Sequence, residues 1–244
     1  MPKRRPHLYP SDRSNRLQNA ETLAASGSDE ARQLQNILND VASNRLPTQG
    51  VPPPAWILVK HACDDLESAL DYIAVDLWER YCEGPLHKVY FPIAKLDESE
   101  DSFRRALAIS WPGLANANSV AHSLIVSIQH FGRPDFGWLY RLRDLNQVLK
   151  HPGAPQHRAR IVPFTAQKEG YVTESFKVAL YEMEGFDGDL GGFLQKASEA
   201  LSDFARRMAD VLQRGEPGLP PPVLMDIAVN GDVHKEVRMR RQPG

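Results

Sequence analysis

Arg143, Asn146, Gln147, Lys150 and His151 crowd the end of one helical stretch, Trp138–His151, just before Pro152 and Gly153. A histidine changes charge near neutral pH and can act as general acid or base, while arginine or lysine can stabilise a pentavalent phosphate. Asn146 would orient the scissile group. The set therefore fits ribonucleolytic chemistry, with His151, Lys150 and Arg143 catalytic and Asn146 and Asp71 as binding residues. The same residue types also have a plainer role. Lys150 and His151 complement the negative end of the helix dipole, and Asn146 bonds a neighbouring loop. Cationic last turns are common, so the plainer role is preferred.

Asp71 sits between Leu70 and Ile73, near the buried face of its helix. A buried charge needs a partner, and Lys150 or His151 would supply one. No other grouping suggests chemistry. His122 and His130 lie eight apart on one helix, and His151 and His157 flank a Pro-Gly break. Neither spacing resembles a zinc motif, so no metal and no cofactor are expected. Gly188-Asp189-Leu190-Gly191-Gly192 lacks the strand and the Lys-Ser/Thr of a phosphate loop and reads as a helix start. Cys63 and Cys82 fall within one helix, about 28 Å apart, too far for a disulfide, which matches a reducing compartment.

The elements that position these residues follow from periodicity. Residues 1–27 are polar, basic and poor in large apolar side chains, and are expected to be mostly disordered. Leu34, Ile37, Leu38 and Val41 mark a short helix over 28–46, followed by a Pro-rich linker at 50–54. A long amphipathic helix runs from Trp56 to Cys82. Val89–Ile93 is a short extended segment in which Pro92 forbids a central strand. Helices are expected over 98–109, 116–131 and 135–151. Arg160–Thr165 and Ser175–Glu182 read as strands, and 189–214 as a helix ending at Gly215. On that helix Leu190, Leu194, Ala197, Leu201, Phe204, Met208 and Val211 form a seam for core packing or for a homodimer. Val223–Val229 and Asp232–Met239 flank Asn230-Gly231, a strong hairpin signal. The expected fold is α+β: mainly a helical bundle, with a small antiparallel sheet or hairpin in the C-terminal third. The expected organisation is a basic tail, short helix and linker over 1–54, a bundle over 55–155, and strands, a long helix and a hairpin over 156–244 packed on the bundle.

Charge narrows the partners. The net charge is −2, but residues 1–16 carry +4 and residues 234–244 carry +3, leaving −9 between them. An acidic body is a poor general surface for nucleic acid, so RNA is possible but not favoured. No apolar run reaches membrane-spanning length, and no apolar segment follows the basic opening residues, so a cytoplasmic, non-membrane protein is expected.

Ser68-Ala69-Leu70-Asp71, Phe91-Pro92-Ile93, Ile128-Gln129-His130-Phe131 and Leu145-Asn146 with Lys150-His151 resemble, in order, the landmarks of an uncharacterised bacterial helical family. In this chain Glu67 and Tyr72 stand where that family has arginine and histidine, and Leu149 and Pro152 where it has aspartate and arginine. More remotely, the helical pattern is similar to the HEPN superfamily, many of whose members are ribonucleases. That likeness implies an arginine–histidine pair near one helix end. Here seven residues separate Arg143 from His151, turning them about 80° apart around the helix. The resulting expectation is a non-catalytic binding or assembly protein. The alternative is a HEPN-like ribonuclease or toxin using the end of the 135–151 helix.

Overall fold

Small residues, rather than large ones, begin the core. The computed structural model describes residues 15–43, 53–82, 89–131, 137–150, 157–168, 171–183 and 188–214, with 53–54, 157–168, 171–179, 183 and 213–214 described as backbone alone. Helix α1 spans Arg16–Ala42. Its buried positions Ala20, Ala24, Gly27, Ala31, Leu34, Leu38 and Val41 alternate in steps of four and three, one continuous stripe. A Cβ at Gly27 would lie 2.9 Å from the Leu66 side chain, so glycine there lets α1 and its neighbour approach closely. The expectation of disorder through residue 27 is therefore corrected. Alanine and glycine give a weak hydropathy signal but make a tight helix seam. Arg16, counted among the tail's cations, is 4% exposed and pairs with Glu79 at 2.7 Å. Residues 1–14, residues 44–52, which include the start of the linker expected at 50–54, and the hairpin expected at 223–239 lie outside the described residues.

Helix α2, Pro53–Tyr81, receives that seam. Pro53 and Pro54, expected in the linker, form its first turn, where a missing N–H costs nothing. Cys63 and Cys82 are free thiols. Helix α3 (Glu100–Ser110) is capped by Ser99, whose hydroxyl accepts from the Ser102 amide at 3.2 Å. The single helix expected over 116–131 is two, α4 (Leu114–Ala117) and α5 (Ser119–Ser127). They break at Asn118, whose side chain accepts from the Ala121 amide at 2.9 Å and starts α5 afresh. Helix α6 is Trp138–Lys150, and α7 is Leu190–Arg214.

Strands β1 (His157–Lys168) and β2 (Tyr171–Met183) pair antiparallel in a two-stranded ribbon, with a register shift between Ala166 and Gln167. The β2 end reaches α1 and α7, where Leu180 and Tyr181 are buried. The fold is a helical bundle. Beside it, among the described residues, lies one two-stranded antiparallel ribbon that contains the strands expected at Arg160–Thr165 and Ser175–Glu182. The seam of α7 is spent internally. Leu190, Leu194, Ala197, Leu201 and Met208 are all fully buried within the chain, and α7 packs chiefly on α1, so this seam offers no face for a homodimer. No helix among the described residues is long and apolar enough to cross a membrane.

Asp189 sets where α7 starts. Its carboxylate accepts from the amides of Gly191 and Gly192, at 3.2 and 3.0 Å, and from Tyr181 at 3.2 Å. A Cβ on Gly192 would lie 2.7 Å from that carboxylate, and one on Gly191 would lie 2.9 Å from the Leu38 side chain of α1, which explains the glycine pair. The Gly188–Gly192 motif is thus a helix cap joined to β2.

The segment after α2, residues 89–96, has no regular secondary structure and runs as a strap held between helices. Gln129 clamps it: the Ala94 amide donates to Oε1 at 2.9 Å, and Nε2 donates to the carbonyls of Pro92 at 3.2 Å and Ile125 at 3.0 Å. His130 Nε2 lies 3.0 Å from the Leu96 carbonyl, which places the ring proton on that nitrogen. Phe91 is buried edge-on against Phe204 of α7, with centroids 5.5 Å apart.

Two outcomes follow for stability. Gln129→Ala strands the buried Ala94 amide and should cost about 2 kcal/mol by urea denaturation. Glu30 lies on α1 with Oε1 3.5 Å from His61 Nδ1, while its buried Oε2 has no partner among the described residues. Burial, with Asp65 and Asp64 nearby, pushes its carboxyl up to about 7. A carboxyl raised on folding favours the folded state at low pH, and that contribution is lost as pH rises through the folded value. Glu30→Gln should match wild type near pH 4, gain stability across the window from 4.5 to about 7, and then level off, read from urea midpoints at each pH.

Candidate functional site

Residues of three of the four sequence landmarks line one cleft, and the fourth clamps the strap through Gln129. Helix α6 presents Trp138, Leu139, Leu142, Leu145 and Leu149 to the core, together with one polar residue, Asn146, at 1% exposure. Asn146 needs a partner there, and α2 supplies it: Nδ2 donates to Glu67 Oε2. The same carboxylate oxygen receives Lys150 Nζ at 2.7 Å. Glu67 therefore joins α6 to α2 at two positions one turn apart. The remaining oxygen of Asn146 is buried without a partner among the described residues.

One turn along α2, Asp71 faces the strap. Its Oδ1 accepts from the Phe91 amide at 3.3 Å, and no hydrogen bond reaches Oδ2 among the described residues. Burial pushes the Asp71 carboxyl up to about 6; the Phe91 amide lowers it, Glu67 raises it, and Lys150 lowers it.

Between α2, α6 and the strap lies a cleft of about 480 Å³. Its polar wall is Glu67 and Asp71 from α2 with Arg143, Gln147 and Lys150 from α6. Leu70, Phe91, Ile93 and the largely exposed Tyr90 supply the apolar wall. Spacings of four and three put Arg143, Gln147 and Lys150 on one stripe. Arg143 is half-buried, and among the described residues it makes no hydrogen bond or ion pair.

Of the residues singled out from sequence, Arg143, Lys150 and Asp71 share this cleft. Asn146 does not line it. It is buried beside it, bound to α2 rather than to the loop expected. The expected pairing of Asp71 with Lys150 is likewise corrected: the lysine bonds Glu67, and Asp71 bonds a backbone amide. His151 lies outside the described residues. Sequence reasoning missed Glu67, although its spacing of four from Asp71 was a usable signal. It also missed Tyr90 and Ile93, which only the folded strap brings to α6. Among the described residues no group of three His, Cys, Asp or Glu side chains is arranged to hold a metal ion. No family model, no curated protein and no solved structure matches the chain.

The two bonds to Glu67 differ in worth. Lys150 is about half exposed, and such pairs contribute under about 1 kcal/mol. The buried amide of Asn146 loses its acceptor when Glu67 is removed, at roughly 1–3 kcal/mol. Glu67→Ala should therefore destabilise the protein clearly more than Lys150→Ala when both are measured by urea unfolding.

Proposed function

We propose that this protein works by binding rather than catalysis, and that the cleft beneath the strap holds a small ligand through an acidic group placed on Arg143. The observation that carries this reading is the state of Arg143, which lines the cleft with no acid assigned to it among the described residues. Lys150, the other cation, already belongs to Glu67. A guanidinium facing a cleft is suited to a carboxylate or phosphate, which it can bind with two parallel hydrogen bonds. The adjoining apolar wall would receive the ligand's body, the usual composition of a small-molecule site. A cytoplasmic setting accords with two cysteines that are not bridged.

The ribonuclease reading keeps one support, an open cleft lined by Arg143 and Asp71 together with Lys150, the last residue of α6 before His151. Against it, Asn146 is too buried to orient a scissile group, and Lys150 is neutralised by Glu67.

Titration calorimetry with 3-phenylpropionate and phenyl phosphate tests the binding reading. Wild type should bind at least one of them, and Arg143→Ala should weaken it about tenfold or more. Equal binding by the variant, or none by wild type, overturns the reading. Total RNA should stay intact; cleavage lost in both Lys150→Ala and His151→Ala would install the ribonuclease instead.

A further inference from the structure

The charges around the cleft do not cancel in pairs. Glu67 and Lys150 neutralise each other at 2.7 Å. Asp71 and Arg143 remain, one acid and one base lining the same cleft without forming an ion pair with each other. A ligand bearing only an acid would place its charge near Asp71, and one bearing only an amine would meet Arg143. Like charges brought together in a partly desolvated cleft are costly. A molecule with both groups satisfies both residues.

We infer that the cleft takes a small zwitterion with an apolar body, an amino acid or short peptide, its carboxylate on Arg143 and its ammonium on Asp71. This inference rests on the binding reading above and names the ligand class. Asp71 is suited to the second contact because Phe91 occupies Oδ1 and leaves Oδ2 without a partner among the described residues. A cavity of about 480 Å³ fits a molecule of this size with room for its side chain beside Ile93 and Tyr90. Asp71 feels the Phe91 amide of the strap, Glu67 on its own helix and Lys150 on α6, and it shares the cleft lining with Arg143 and Tyr90.

The protonation of Asp71 gives the test its sign. Its carboxyl is raised to about 6, so it is mainly charged at about pH 7.5 and mainly neutral at about pH 5.5. An ammonium on Asp71 is held by the charged form. L-Phenylalanine should therefore bind more weakly as pH falls across this interval. For 3-phenylpropionate the order reverses, because protonating Asp71 removes a repulsion. At about pH 7.5 phenylalanine should bind about tenfold more tightly than 3-phenylpropionate. Asp71→Asn, which keeps an acceptor for Phe91, should erase that advantage, and phenethylamine alone should bind poorly to both proteins.

Calorimetry on the full chain decides among the outcomes, with the pH comparison on wild type requiring no variant. If 3-phenylpropionate binds through Arg143 but phenylalanine is no tighter, or Asp71→Asn changes nothing, the zwitterion inference fails and the binding reading stands. Tight binding of phenethylamine that survives Arg143→Gln overturns the inference in favour of a cation site. Failure of 3-phenylpropionate, phenyl phosphate and phenylalanine alike removes both.

Discussion

Glu67 Oε2 is the point on which the arrangement around the cleft depends. Helix α6 meets the rest of the bundle through a leucine-rich face, and apolar faces alone tolerate sliding and rotation. One polar residue set into such a face does not, because burying it unpaired is costly. Asn146 is that residue, and the observed register brings its Nδ2 to Glu67, leaving only its oxygen without a partner among the described residues. Once the register is set, the consequences are geometric. Lys150, one turn further on, is drawn to the same carboxylate. Arg143, about one turn back, is left lining the cleft without an ion pair among the described residues.

The strap imposes a second constraint. Residues 89–96 run between helices, and among the described residues no strand pairs with them to take their amides and carbonyls. Buried backbone groups must find partners all the same, so side chains provide them: Asp71 for Phe91, Gln129 for Pro92 and Ala94, His130 for Leu96. Pro92 fits because it has no amide to satisfy. Gln129 and His130 are residue types that invite a chemical reading. Here they are occupied as substitutes for a missing strand.

The parts of this organisation that were legible in the sequence are those written in large apolar residues. The seams of α2, α6 and α7 follow from leucine spacing, and the stripe of Arg143, Gln147 and Lys150 follows from the same period. The first half of α1 was not legible, because Ala20, Ala24, Gly27 and Ala31 bury little area each and their value lies in close approach, which a hydropathy pattern does not record. The break at Asn118 was missed because a cap works through one side-chain bond rather than through periodicity. Glu67 was hidden for another reason. On its own helix it is an ordinary half-buried acid, and its role exists only when α6 arrives from some eighty residues away. The strap's contribution to the cleft is non-local in the same way.

Asp71 shows why holding the strap does not account for the whole cleft. If its task were only to accept one hydrogen bond from Phe91, a neutral acceptor would serve at lower cost, since an amide oxygen accepts the same bond without a charge to desolvate. The carboxyl's rise to about 6, caused first by burial, records that cost. Placing the acid within a lining that also contains Arg143, yet leaving the two unpaired, forgoes the simplest compensation available to either. The strap uses one of its oxygens; the ammonium of the proposed ligand would supply the donor that the other lacks among the described residues.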